Sequence, residues 1–297
     1  MTEINPFFVA KDHGDDFFVL DRFKFKDNFT NFKASFSLLY KNSNIAYSYK
    51  TNYIPHICND VSLMKGYAEV VSEMEYNLAR KIGVLPKNII YNGPAKSSNS
   101  IRTALMLGSI VNLDSFRDLQ IAIETANQNP EKNFEVVLRC NFSLDNDTLS
   151  RFGFDVESDR FKKVYEDLLY KFSNLKLVGI HCHFPDRELS TFETRIKKMI
   201  SLYEIIFVDH KAKYLNLGGG YYSNIPESMS RKRDLTPVSF SEYANLICKY
   251  INNSFLIKSH NPELILEPGT AIVADTLSFY TKVLDVKRKQ EVLKVFP

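Results

Sequence analysis

Short β-rich runs alternate with longer helical ones along most of the chain, and this alternation limits the possible folds more than any other feature. Strand candidates fall at 45–49, 69–72, 88–91, 109–113, 135–139, 177–181, 214–217 and 264–267. Between them, helical periodicity runs through 72–82, 97–107, 115–127, 160–172, 189–208 and 240–251. Parallel strands need a crossover of a dozen or more residues, usually a helix, so the alternation favours an α/β fold. Eight such units predict a (β/α)8 barrel. Two stretches do not fit it. Residues 17–21 read as a strand ahead of a helix over 23–40, and 276–286 as a further β-rich run. Both suit a second, all-β domain built from the two chain ends. The chain accordingly divides into 1–22, an N-terminal strand of that partial domain; 23–275, the barrel; and 276–297, the start of a truncated C-terminal β domain. The long polar loop 223–238 suits a lid or a disordered insertion equally.

Barrels of this kind carry their chemistry at the carboxyl ends of the strands. Lys50 follows the first strand, His181 and His183 close the sixth, Gly218, Gly219 and Gly220 follow the seventh, and Glu267 closes the eighth. Between Tyr47 and Tyr49, Lys50 is expected to be partly desolvated. Desolvation favours the neutral amine, which can attack a carbonyl and form a Schiff base; the alternative is a lysine snorkelling from an apolar strand. The glycines suit a phosphate, or merely a tight turn. A carboxylate after Leu264, Ile265 and Leu266 needs a partner, and either a protonated pyridine nitrogen or a salt bridge would serve. His181 and His183 flank Cys182, so in a strand they face the same way. They could stack on a ring, bind a metal, or be satisfied core histidines. A metal would need a third ligand, and none is apparent, so no metal is expected.

Composition narrows the class. Of 297 residues, 44% are apolar and 25% charged, the balance of a soluble globular protein. The net charge of +3 is dispersed, and the one dense basic run is Arg231, Lys232 and Arg233, so no nucleic-acid partner is expected. Cys58, Cys140, Cys182 and Cys248 lie far apart without metal spacing, which fits a reducing compartment. The N-terminus is too polar for a signal peptide and no apolar run is long enough to cross a bilayer. The expected location is the cytoplasm, with no membrane partner.

These residues also resemble the motifs of a known family, the fold-type III pyridoxal 5'-phosphate (PLP) enzymes. That family includes diaminopimelate, ornithine and arginine decarboxylases and is related to alanine racemase. Tyr47-Ser48-Tyr49-Lys50-Thr51-Asn52 resembles its Tyr-Ala-Val-Lys-Ala-Asn motif, and Asp16-Phe17-Phe18-Val19-Leu20-Asp21 is similar to its opening strand. Glu69-Val70-Val71-Ser72, Ser150-Arg151-Phe152-Gly153, Gly179-Ile180-His181-Cys182-His183, Leu217-Gly218-Gly219-Gly220-Tyr221 and Glu267-Pro268-Gly269 follow in the family's order. The resemblance covers almost the whole chain. It implies that Lys50 holds PLP as a Schiff base and that His183 stacks on the ring. It further implies that Gly218, Gly219, Gly220 and Gly269 contribute to the cofactor site and that Glu267 pairs with the pyridine nitrogen. A carboxylate there keeps the ring an electron sink, which favours decarboxylation of a diamino acid. A racemase or epimerase on the same barrel, and a PLP-binding protein without turnover, are the alternatives. A homodimer is implied as well. The sequence departs from the family at Phe184-Pro185-Asp186-Arg187, where Gly-Ser is usual, and at Thr270, where arginine is usual. Asp186 would repel a phosphate, and Arg187 could compensate. The family's C-terminal β domain, which completes the partner's active site, is for the most part not assignable.

Overall fold

Eight parallel strands close on themselves. The computed structural model describes residues 5–144, 150–226, 236–289 and 292–296. Helix α1 (Pro6–His13), strand β1 (Phe17–Leu20) and helix α2 (Arg22–Ser37) precede the barrel. The barrel then begins with β2 (Ser43–Ser48), α3 (Pro55–Leu63), β3 (Tyr67–Val70), α4 (Glu73–Lys81), β4 (Ile89–Tyr91), α5 (Ser98–Met106), β5 (Ile110–Leu113) and α6 (Phe116–Gln128). It continues with β6 (Phe134–Asn141), the two-residue β7 (Phe154–Asp155), α7 (Asp159–Glu166), β8 (Leu175–His181), α8 (Leu189–Ile206) and β9 (Tyr214–Asn216). Helices α9 (Phe240–Asn253) and α10 (Phe255–His260), strand β10 (Glu263–Leu266) and the short α11 (Thr270–Val273) complete it. Strand β2 pairs with both β3 and β10, and β5 with both β4 and β6, so the ring has no open edge. Strand β7 adds to β6 outside the ring.

Local chemistry explains the elements. Asp21, Ser72, Ser97, Ser115 and Ser239 each accept a backbone N–H three residues on, capping the helices that follow. Inside the ring, Ala46, Ile90, Ile110, Val137, Val178 and Ile265 pack as a separate cluster of small and branched side chains. Outside, Phe25, Phe29, Phe32 and Phe36 form a buried stripe along α2 at helical spacing. Phe25 meets Tyr47 edge-on at 5.5 Å, and Phe32 meets Tyr221 at 5.0 Å.

All eight expected barrel strands are present, with bounds shifted by no more than two residues. The shifts have local causes. Glu69 lies within β3, but Ser72 leaves the strand to cap α4. The helix expected over 160–172 ends at Glu166 and continues as a π-helical turn, Asp167–Lys171. Helix α3 was not anticipated. Its one buried apolar face, Ile57, Cys58 and Val61, spans barely a turn behind Pro55. The run 276–286 is not one strand: it splits into β11 (Leu277–Tyr280) and the first residues of β12 (Asp285–Lys289), which pairs with β13 (Val292–Phe296). Strand β11 pairs antiparallel with β1, from Phe17 opposite Tyr280 to Leu20 opposite Leu277, so the two chain ends meet in one sheet. Most of loop 223–238 lies outside the described residues, as does the basic run Arg231 to Arg233. Among the described residues no helix is long and apolar enough to cross a membrane, and all four cysteines are free and buried.

Candidate active site

At the carboxyl end of the barrel, otherwise apolar strands finish on inward polar residues that bond to one another across the mouth. The Ser48 hydroxyl donates to Glu69, and Asn92 Nδ2 donates to Glu69 Oε1 at 2.8 Å. The same Asn92 Nδ2 donates to Glu267 Oε1 at 2.9 Å, and Asn216 Nδ2 adds a second bond to that oxygen at 2.8 Å. The Asn112 amide donates to Asn92 Oδ1. Five strands are thereby tied to one carboxylate.

Glu267 is buried, and its other oxygen, Oε2, has no hydrogen-bond partner among the described residues. His181 Nε2 stands 3.4 Å from Oε2, and His183 Nδ1 stands 3.7 Å from it. Burial opposes a charge on Glu267. Attraction to His181, and then the contact with His183, outweighs burial and holds the carboxyl well below its usual range. His183 moves down to about 3, chiefly by burial and then by the Lys50 charge. It is therefore neutral, and its Nδ1 accepts the Gly219 N–H at 3.0 Å. His181, His183 and Glu267 place three ligand-type atoms within 4.8 Å of one another, so Glu267 is the third metal-type ligand that sequence reading did not find.

Lys50 opens onto the same space. Ala46, Ser48 and Lys50 follow the inward alternation of β2, whereas Tyr47 and Tyr49 turn outward under the helices. The expected desolvation of Lys50 is not found: both tyrosines are buried, but Lys50 lies two residues beyond the strand, on an exposed turn. A cavity of about 470 Å³ is lined by Lys50, Glu69, Arg139, Arg151, Phe152 and His183 among others. A smaller recess of about 170 Å³ adjoins Lys50, His183 and Glu267 and is bounded by Gly220, Gly269, Thr270 and Arg187.

The glycines are needed for close passage of the backbone. A Cβ on Gly218, at φ +64°, would stand 2.1 Å from the Cys182 carbonyl oxygen, and one on Gly269 would stand 2.1 Å from Thr51 Oγ1. Gly218 donates its amide to Asn216 Oδ1 and Gly219 donates to His183, which leaves Gly220 as the member of the triplet that lines the recess. The expected repulsion by Asp186 is not what the geometry provides. Its carboxylate turns to the start of α8, accepting from Glu188 N at 2.9 Å and Thr191 Oγ1 at 3.2 Å, while Arg187 lines the recess.

Asn92, Asn112, Asn216 and Arg139 were missed, although each is a polar residue at the end of an apolar strand. That pattern is the signal that could have found them. Arg139 pairs with Asp114 at 2.6 Å on the cavity wall. The buried Lys96–Asp118 pair, 2.8 Å apart, was missed too.

Residues 23–274 match the family described as pyridoxal-dependent decarboxylase, pyridoxal binding domain. The chain belongs to this family. It is similar to the diaminopimelate decarboxylase of Aquifex aeolicus, with 26% identity over 294 residues, covering 95% of this chain and 65% of that protein. The chain thus spans a little under two-thirds of that relative's length. The structure of Methanocaldococcus jannaschii diaminopimelate decarboxylase in complex with L-lysine superposes with a TM-score of 0.82 at 25% identity, covering 98% of this chain and 69% of that one. The Helicobacter pylori diaminopimelate decarboxylase complexed with L-lysine gives 0.79 at 26% identity, covering 96% and 71%. The cofactor of the family is pyridoxal phosphate. The residues present fit it: a buried carboxylate oxygen without a hydrogen bond among the described residues, a lysine amine and a glycine-walled recess share one mouth.

Proposed function

We propose that this chain holds PLP at the carboxyl end of its barrel and decarboxylates an amino acid of the diamino class. The observation that carries this reading is Glu267, a buried carboxylate that borders the smaller recess, with one oxygen fixed by Asn92 and Asn216 and the other without a hydrogen bond among the described residues. Such a group suits a protonated pyridine nitrogen. When bound, the cofactor supplies the electron sink that takes up the pair left as CO2 departs. Lys50 would hold it covalently through its amine, neutral His183 would flank the ring, and Gly220, Gly269 and Thr270 would face the phosphate. Gly218 and Gly219 would act by fixing the loop and His183.

A carboxylate at the ring nitrogen strengthens the sink, which favours carbon dioxide loss over racemisation. The larger cavity, with Glu69, Arg139 and Arg151 on its wall, offers charges of both signs to a substrate bearing amines and carboxylates. The relatives named diaminopimelate decarboxylase, two of them solved with L-lysine, support the diamino class. We extend the proposal to a cytoplasmic homodimer, as the sequence resemblance implies, and assign segments 1–22 and 276–297 to a second β domain, supported by the pairing of β1 with β11. Cofactor binding without turnover is the second reading, favoured by Thr270 in the place where the family usually has arginine.

The test is purified protein with added PLP and a panel of diaminopimelate, lysine and ornithine. A visible band that Lys50→Ala abolishes, together with CO2 release, is expected. A band without CO2 would select the binding protein, product that is only the opposite enantiomer would select the racemase, and no band would overturn the Lys50 assignment.

A further inference from the structure

Helix α8 carries an arginine whose surroundings are not those of a surface charge. Arg195 is 1% exposed. Its hydrogen bonds go to neutral oxygens: the Gly219 carbonyl at 3.1 Å, the Asp186 carbonyl, and Thr191 Oγ1 at 3.4 Å. Its Nε is buried and has no hydrogen-bond partner among the described residues, and the guanidinium packs against Phe192 at 4.3 Å and Phe184 at 5.5 Å. No ion pair involves it among the described residues. A charge so placed is costly unless an opposite charge compensates it. Glu193, two residues before it, pairs with Lys197 and Tyr250, and Asp186 turns its carboxylate to the start of the helix.

The place of this cation is informative. A Cβ on Gly220 would stand 3.0 Å from Arg195 Nη1, so the guanidinium lies directly behind the backbone that walls the smaller recess. Arg187, Lys50 and Glu267 border the same recess. Glu267 is already bound by two amides. We infer that Arg195 is the fixed counter-charge of an anion-binding recess, a positioning residue that holds the Gly219–Gly220 backbone and gives a phosphoryl group on the ligand a positive potential. This rests on the proposed cofactor reading and adds to it the residue that stands in for the arginine missing at position 270.

The test is calorimetric titration of the full chain with PLP and with pyridoxal, which has the same ring and aldehyde but no phosphate. The unsubstituted protein should prefer PLP, and inorganic phosphate should compete with PLP. Arg195→Met should reduce PLP affinity by about tenfold to a hundredfold, the range for losing a bond to a charged group, and leave pyridoxal unchanged. Arg195→Lys, which keeps the charge, should retain part of the preference. Equal losses for both ligands in Arg195→Met would mark a merely structural arginine and overturn the inference. So would equal affinities in the unsubstituted protein, or failure of inorganic phosphate to compete. If Arg195→Met does not fold, Arg195→Lys and the phosphate competition still decide. The Lys50 assignment stands or falls separately on the visible band, since calorimetry registers binding whether or not that band forms.

Discussion

Glu267 shows most directly how one residue can serve function and stability together. Its Oε1 has two amide donors and its Oε2 stands 3.4 Å from His181 Nε2, and together these contacts hold the charge against the cost of desolvation. Glu267→Gln would keep the Asn92 and Asn216 bonds and place an NH2 beside the His181 and His183 imidazoles. Turnover should fall on the order of a hundredfold, as for other losses of a preorganised charge at a reacting centre. The thermal midpoint of the cofactor-free protein should fall at neutral pH, because the fold holds this carboxyl ionised below its usual range and the amide forfeits that stabilisation. A variant that melts no earlier and turns over normally would reverse both assignments. His183 makes a second prediction. Burial, then Lys50, lowers it from 6.5 to about 3, so between these values the unfolded chain binds a proton that the folded chain does not. Stability therefore rises with pH across that window and is lost as the medium is acidified through it. Melting curves from about pH 7 to about pH 4 should show a shallower decline for His183→Asn than for the unsubstituted protein.

The elements differ in how far they could be read. All eight barrel strands were visible because each is a short apolar run between helices of clear period, and Lys50, His183 and Glu267 stood out as chemically distinct residues at their ends. The exposure of Lys50 was not visible, because it depends on how far the turn stands clear of the strand. The Asn92–Glu267 bond was not visible either. It joins β4 to β10 across 175 residues, and its existence depends on strand register around a closed ring. Arg195 was hidden differently. It sits near Lys197 and Lys198 and reads as one more solvated helix charge until the fold turns it inward. Lys96 and Asp118 make a testable case at this scale. Both side chains are fully buried, joining the loop after β4 to α6, and Lys96 also donates to the Asn112 carbonyl at 3.1 Å. Arg117 reaches Asp118 only to 3.8 Å, from the surface. Lys96→Met should cost about 3 kcal/mol, because it leaves a buried carboxylate without its partner. Lys96→Met combined with Asp118→Leu should recover much of that, as read from urea unfolding midpoints. Equal costs for the single and double variants would show that the pair contributes through packing alone.

At the scale of the whole molecule, the barrel is closed and its ends are not. Strands β1 and β11 bring the Phe18 and Phe279 rings to 4.7 Å at a tilt, yet these residues are 71% and 53% exposed. Contiguous apolar surface on a small sheet is a site of association, since burying it removes apolar area from water at no loss of barrel packing. The chain should therefore associate with rising concentration in sedimentation velocity, and Phe18→Ser with Phe279→Ser should weaken that association. PLP binding should be unaffected, because neither residue lines the mouth cavity or its recess. If the double variant sediments as the unsubstituted chain does, this sheet is not the associating surface. If it also loses the cofactor, the ends and the barrel mouth are coupled, and the functional unit is larger than the barrel.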